Sequence, residues 1–233
     1  MRPVAVLSLF LVAGPIAGES PKEKSAREAL KPLNILVGSW KGTGTPEGSL
    51  EVRQKGHWVE TVAWEWQFKG DAAWLAVTID KGKYFTSGEL RPRADADGFE
   101  LSLNTVDKEK RTYTGTLNGK QLAFERTVKD AKQVERLTFS LLHDNRITYR
   151  LETRPESGTT FTKQYLVGLT KEGVPFVDVG RSERECIVSG GTGTIAVSYE
   201  GKTYYVCCTG CRDEFKANPR KYVDEWEAKR AKK

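Results

Sequence analysis

The two residue types that carry most metal and nucleophile chemistry are scarce in this chain. Of its 233 residues only two are His and four are Cys. The cysteines, Cys186, Cys207, Cys208 and Cys211, are confined to one short stretch near the C-terminus, so any thiol chemistry is local. Catalytic signatures are also missing. There is no His-Glu-x-x-His and no Gly-x-Ser-x-Gly, and Gly42-Thr43-Gly44-Thr45-Pro46 lacks the Gly-Lys-Ser/Thr ending of a phosphate loop. Acid pairs such as Glu60 and Glu65 are too common in strands to imply acid–base work, so no enzymatic activity is indicated. With 38% hydrophobic and 29% charged residues, 22 Gly and 9 Pro, the composition is globular. It excludes collagen-like, low-complexity and multi-span membrane classes. At roughly 100–200 residues per domain, the length fits one large domain, or one large and one small.

The chain opens Met1-Arg2 and then runs from Pro3 to Gly18 without a charge. A positive start, a short apolar centre and small residues near Ala17-Gly18 make residues 1–18 look like a secretory signal peptide. The apolar run falls short of the roughly 20 residues that span a bilayer. The expectation is a mature protein outside the cytoplasm, periplasmic or extracellular, with no transmembrane span after cleavage. Residues 19–32 are polar and read as a linker, with a short helix before Pro32. The formal net charge of +6 is concentrated at the end, between Lys216 and Lys233. Nucleic acid is not the expected partner, because Tyr222 and Trp226 are the only nearby aromatics.

From Leu33 to about residue 180 the pattern is β. Apolar side chains fall on every second residue in Val62, Trp64, Trp66 and Phe68, in Leu137, Phe139 and Leu141, and in Ile147, Tyr149 and Leu151. That alternation marks strands with one buried face. Turn signals such as Lys69-Gly70-Asp71, Asn118-Gly119 and Glu156-Ser157-Gly158 separate them at hairpin spacing. About ten sequential antiparallel strands suggest an up-and-down barrel, since closure removes the exposed edges. The stretch Leu36-Val37-Gly38-Ser39-Trp40-Lys41-Gly42-Thr43-Gly44 resembles the Gly-x-Trp opening strand of the lipocalin-like calycin barrels. The resemblance implies a small apolar ligand as one expected partner of the barrel domain, residues 33–180. His57 and His143 are surface candidates with a lesser reading as metal or haem ligands.

Residues 181–230 have another character. After a charged joint, Thr194–Tyr199 and Thr203–Cys207 read as a hairpin, Cys211–Ala217 as a short helix, and Pro219 as the first position of a second helix capped by Asn218. The expected fold is therefore mainly β, an antiparallel up-and-down barrel followed by a small ββαα module. A module this small needs a metal, a disulfide or a neighbouring surface to stay folded.

Cys186, Cys207 and Cys211 can converge through the loop, the hairpin and the turn, and three thiolates suit copper(I) or zinc(II). Cys211, near a helix N-terminus with Arg212 and Lys202 close in sequence, is expected to have a lowered pKa. Cys208 is either a core residue or a fourth ligand reached by a bend. The stretches Cys186-Ile-Val-Ser-Gly-Gly, Val197-Ser-Tyr-Glu-Gly-Lys-Thr-Tyr-Tyr-Val-Cys-Cys-Thr-Gly-Cys211 and Phe215-Lys-Ala-Asn-Pro-Arg-Lys-Tyr222 resemble the YHS domain, which is related to the TRASH metal-binding domain. That resemblance implies Cys186, Cys207 and Cys211 as ligands, a role in heavy-metal capture, buffering or delivery, and a metal-trafficking protein as a partner. Two departures, Ile187 where Pro is commoner and Gly191-Thr192 in place of Met or Lys-Pro, bear on which metal binds. In an oxidising compartment a structural disulfide or thiol-redox exchange stays open beside metal binding.

Overall fold

The structure, a computed structural model, describes residues 25–93, 98–173 and 184–231. The signal-like residues 1–18 and most of the charged joint lie outside the described residues. Ten strands close into an antiparallel barrel: β1 (Gly38–Pro46), β2 (Trp58–Lys69), β3 (Ala72–Asp80), β4 (Phe85–Pro92), β5 (Phe99–Thr105), β6 (Lys110–Asn118), β7 (Gln121–Val128), β8 (Gln133–His143), β9 (Arg146–Pro155) and β10 (Thr162–Lys171). Each strand pairs with its sequence neighbours, and β1 closes on β10. The protein is mostly β, with 54% of its described residues in strands, as the alternating pattern implied.

Two-residue alternation fills the barrel. Trp40, Trp64, Trp66, Leu75, Leu90, Tyr113, Phe124, Tyr149 and Val167 all point inward and are buried. The interior cavity lined by Val62, Trp64, Phe139, Tyr149 and Leu169 has about 20 Å³. Ligand pockets are roughly 300–1,000 Å³, so this one is far too small for an apolar guest.

Toward the β1/β2 hairpin end the interior turns polar. Glu60 is buried, and its carboxylate accepts hydrogen bonds from Trp58 Nε1 at 2.7 Å and the Tyr149 hydroxyl at 2.6 Å. Gly44 faces Trp58 across the β1–β2 register, and a side chain there would overlap the indole, its Cβ falling 2.1 Å from the ring. Nearby, Glu135 accepts from Tyr113 at 2.8 Å and pairs with Arg126 at 2.7 Å.

The opposite end is closed by the start of the described chain. Helix α1 (Ala26–Leu30) is capped by the Ser25 hydroxyl, which accepts from the Glu28 amide. A 3₁₀ turn over Lys31–Leu36 follows, and Leu30, Leu33 and Leu36 are buried. The β1–β2 connection contains helix α2 (Leu50–Gly56), which the strand pattern did not anticipate. It buries none of its residues, so it has no apolar periodicity to read.

The C-terminal module consists of the hairpin β11 (Ile195–Tyr199) and β12 (Lys202–Val206), then α3 (Thr209–Ala217) and α4 (Pro219–Ala231). Cys186, Ile187, Val188, Val206, Phe215 and Tyr222 join one continuous core with the barrel residues. Among the described residues no helix is long and apolar enough to cross a membrane.

Candidate metal centre

The module sits where the barrel leaves an edge unpaired. Strand β1 begins at Gly38, opposite Trp64, so β2 beyond Trp64 has β3 on one side and no β1 on the other. The first turn of α3 occupies that gap. The Trp66 amide donates to Cys208 Sγ at 3.4 Å, and the Thr209 hydroxyl donates to Glu65 Oε2 at 3.0 Å. Contact is close enough to require glycine, because a Cβ on Gly210 would fall 1.7 Å from the Trp66 carbonyl oxygen.

A second tether runs through one asparagine. Trp66 Nε1 donates to Asn34 Oδ1 at 2.9 Å, and Asn34 Nδ2 donates to the Ser189 carbonyl at 3.0 Å. Ser189 is fully buried and touches two cysteines. Its amide donates to Cys186 Sγ, and its hydroxyl lies 3.4 Å from Cys207 Sγ. Arg27 adds a third link, donating to the Val188 carbonyl and pairing with Glu225 of α4 at 2.6 Å.

These contacts hold the sulfurs together. Those of Cys186, Cys207 and Cys211 all lie within 4.8 Å of one another. Cys207 and Cys211 are 3.6 Å apart. An ion bound at about 2.3 Å to each of three sulfurs places them about 3.8 Å apart in a tetrahedral arrangement, so the spacing fits. A disulfide needs about 2.05 Å, and all four cysteines are free thiols. Cys208 stands beside this set as the N-cap residue of α3. The chain does bend after β12, which brings its sulfur to 3.9 Å from Cys207, but Cys208 lies outside the mutually close group of three.

Protons divide the four sulfurs into two pairs. Hydrogen bonds from the Cys207 and Cys211 thiols, with Ser189, pull Cys186 down to about 2. The same two thiols, with the Cys211 and Trp66 amides, pull Cys208 down to about 3. Cys207 is pushed up by its hydrogen bonds to Cys186 and Cys208, and Cys211 by burial above all. The expectation of a lowered Cys211 therefore reverses. Arg212 turns to Asp213 at 2.9 Å and Lys202 to Glu227 at 3.3 Å, so neither cation reaches the buried thiol.

Other candidates lie apart. His57 is exposed with Nδ1 on the Gln54 carbonyl, and His143 is exposed at the β8–β9 turn, where its Nδ1 accepts the Asn145 amide. Glu60 is enclosed in the barrel, and Glu65 serves the module contact. Asn34, Trp66 and Ser189 support the centre although sequence reasoning passed over them. Ser189 stood in the stretch resembling a known family, but Asn34 and Trp66 carried no local signal.

Comparison with known proteins agrees on the module. The YHS domain profile matches residues 192–226, a span that holds Cys207, Cys208 and Cys211 and begins just after Cys186. No curated protein matches the chain. Among solved structures, one described as EF1p2_mFAP2b bound to DFHBI aligns over 61% of this chain and 98% of its own, at 12% identity. Its TM-score of 0.26 is too low to weigh on fold or function.

Proposed function

We propose that this protein captures a soft or borderline transition-metal ion, copper(I) or zinc(II), through the thiolates of Cys186, Cys207 and Cys211, and that it buffers or delivers that ion outside the cytoplasm. The observation that carries this reading is the convergence of three sulfurs, two of them fully buried, at a spacing suited to one ion. Thiolate donors select for such ions over hard cations. Cys208 supports the set from its edge, where the Cys207 and Cys211 side chains and then two backbone amides hydrogen-bond its sulfur.

Binding is coupled to proton release. Cys207 and Cys211 are the protonated members, and each gives up its proton as the ion replaces it. Export follows from the signal-like residues 1–18, and the domain limits at about residues 33–180 and 181–230 follow from the change in pattern. A metal-trafficking protein is the expected partner in delivery.

Elemental analysis of full-length protein purified under reducing conditions, with a free-thiol count, tests the reading. About one ion per chain in the wild type and its loss in Cys207→Ser and Cys211→Ser is the expected result. Sub-stoichiometric metal in wild type and variants alike would overturn it. A thiol count that falls by two without reductant would favour the structural disulfide instead.

A further inference from the structure

Three thiolates leave a coordination position open, and the surroundings of the cysteines determine what can reach it. Cys186, Cys208 and Cys211 are buried, whereas Cys207 is half-exposed. It lines a crevice of about 330 Å³ where the barrel rim meets the module. A larger groove of about 750 Å³ runs between the hairpin and α4, but no cysteine lines it.

The walls of the smaller crevice are charged. Lys171, at the end of β10, lies over the Trp40 ring with Nζ 5.1 Å from its centroid. Gly38 makes space for it, since a side chain there would press on the lysine stem at 3.0 Å. Arg184 stacks over Tyr205 at 4.5 Å. Neither cation has a carboxylate within ion-pair distance among the described residues. Glu185 also lines the crevice but is engaged by Lys229, which leaves Asp144 as the one lining carboxylate outside an ion pair among the described residues. Two cations therefore stand beside the accessible sulfur, with Asp144 acting on Lys171 across the crevice.

We propose that this crevice is the port of the cysteine centre and takes a small anionic metal carrier, a carboxylate-bearing chelate. Lys171 and Arg184 hold its carboxylates while Cys207 exchanges for one of its donor atoms. In that exchange the carrier's bond to the ion breaks as the bond to Cys207 Sγ forms. The thiol proton passes to the freed donor, and no electron is transferred. Three thiolates on a divalent ion carry a net negative charge that an anionic fourth donor increases, and the two cations offset part of it. This inference rests on the metal-capture reading, but its first test needs no metal.

Reduced, metal-free, full-length protein is treated with iodoacetate, an anion, and with iodoacetamide, its neutral counterpart, and the modified cysteines are located by peptide mass mapping. At alkaline pH, where access and not the proton separates the sulfurs, Cys207 is expected to react faster than the other three. The iodoacetate-to-iodoacetamide rate ratio is expected to fall about three- to tenfold in a Lys171→Gln/Arg184→Gln double variant that melts like wild type. Reaction at Cys186 or Cys211 as fast as at Cys207, or an unchanged ratio, would overturn the port. Zinc-loaded protein is then mixed with ethylenediaminetetraacetate. The double variant should bind the same amount of zinc and release it more slowly, and equal release would count against the anionic carrier. Failure of the wild type to hold either zinc(II) or copper(I) would sink the capture reading while the alkylation result still decides the port.

Discussion

The barrel and the C-terminal module stabilise themselves in different ways. The barrel has enough chain to enclose a core of Trp, Tyr, Phe and Leu, and its closed hydrogen-bond ladder leaves few edges to protect. The module has two five-residue strands and two helices, so it buries little of its own. It borrows a surface, the free edge of β2, and puts its four cysteines where that edge ends. The comparison teaches that the large domain need not hold the reactive groups to matter for them. Here it supplies the Trp66 amide, the Asn34 bridge and the Lys171 ammonium, and the module supplies the sulfur.

The sharpest way to break this relation is to unfold the barrel from within. Phe124→Ala empties a fully buried site on β7, and about 3–5 kcal/mol of stability should be lost in denaturant melts. Next, Gly210→Val drives a side chain into the Trp66 carbonyl and should lift α3 from β2. The expected result is loss of bound metal and rapid proteolysis near residue 210, with the barrel's melt little changed. Equal metal content in that variant would show that the module needs no barrel edge.

Acid separates the two regions by sign. The Glu135 carboxyl is half-buried, which alone would raise its pKa, but hydrogen bonds from Arg126 and Tyr113 prevail and hold it below the ordinary carboxylate range. A group depressed in the folded state adds stability above its unfolded pKa, about 4.3, and that stability is lost as pH falls through the folded value. Glu135→Gln should therefore cost about 1–3 kcal/mol at neutral pH and flatten the acid limb of the barrel's stability curve. The module's metal affinity should fail at higher pH, since two protons compete for Cys207 and Cys211. Competition titrations should find affinity rising with pH near neutrality, with protons released as the ion binds.

The last comparison sets two tyrosines side by side. Tyr149 donates to the buried Glu60, whereas the buried Tyr165 hydroxyl has no partner. Tyr149→Phe should cost about 1.5–3 kcal/mol, and Tyr165→Phe about nothing or a slight gain, as read by melting.

Much of this architecture was legible beforehand because strands reveal themselves locally. A period of two in Leu137, Phe139 and Leu141 needs no tertiary knowledge, and neither do the hairpin turns that count out ten strands. The cysteine spacing likewise pointed to one site, since a turn between Cys207 and Cys211 can bring both sulfurs together. Helix α2 was not legible, because a helix that buries nothing has no apolar stripe.

What remained for the tertiary structure was everything that depends on distance between parts far apart in sequence. Only folding places Asn34 between Trp66 and Ser189, sets Cys208 against the end of β2, and leaves Cys207 as the half-exposed sulfur. The pKa of Cys211 shows the reason most plainly. Its sequence neighbours Arg212 and Lys202 suggested a lowered value, but side chains on a surface turn to the nearest carboxylate, and burial among other sulfurs decides the proton. Sequence determined which residues could form a strand or a metal centre. Packing determined which of them are sealed, which are open, and what charge stands beside the opening.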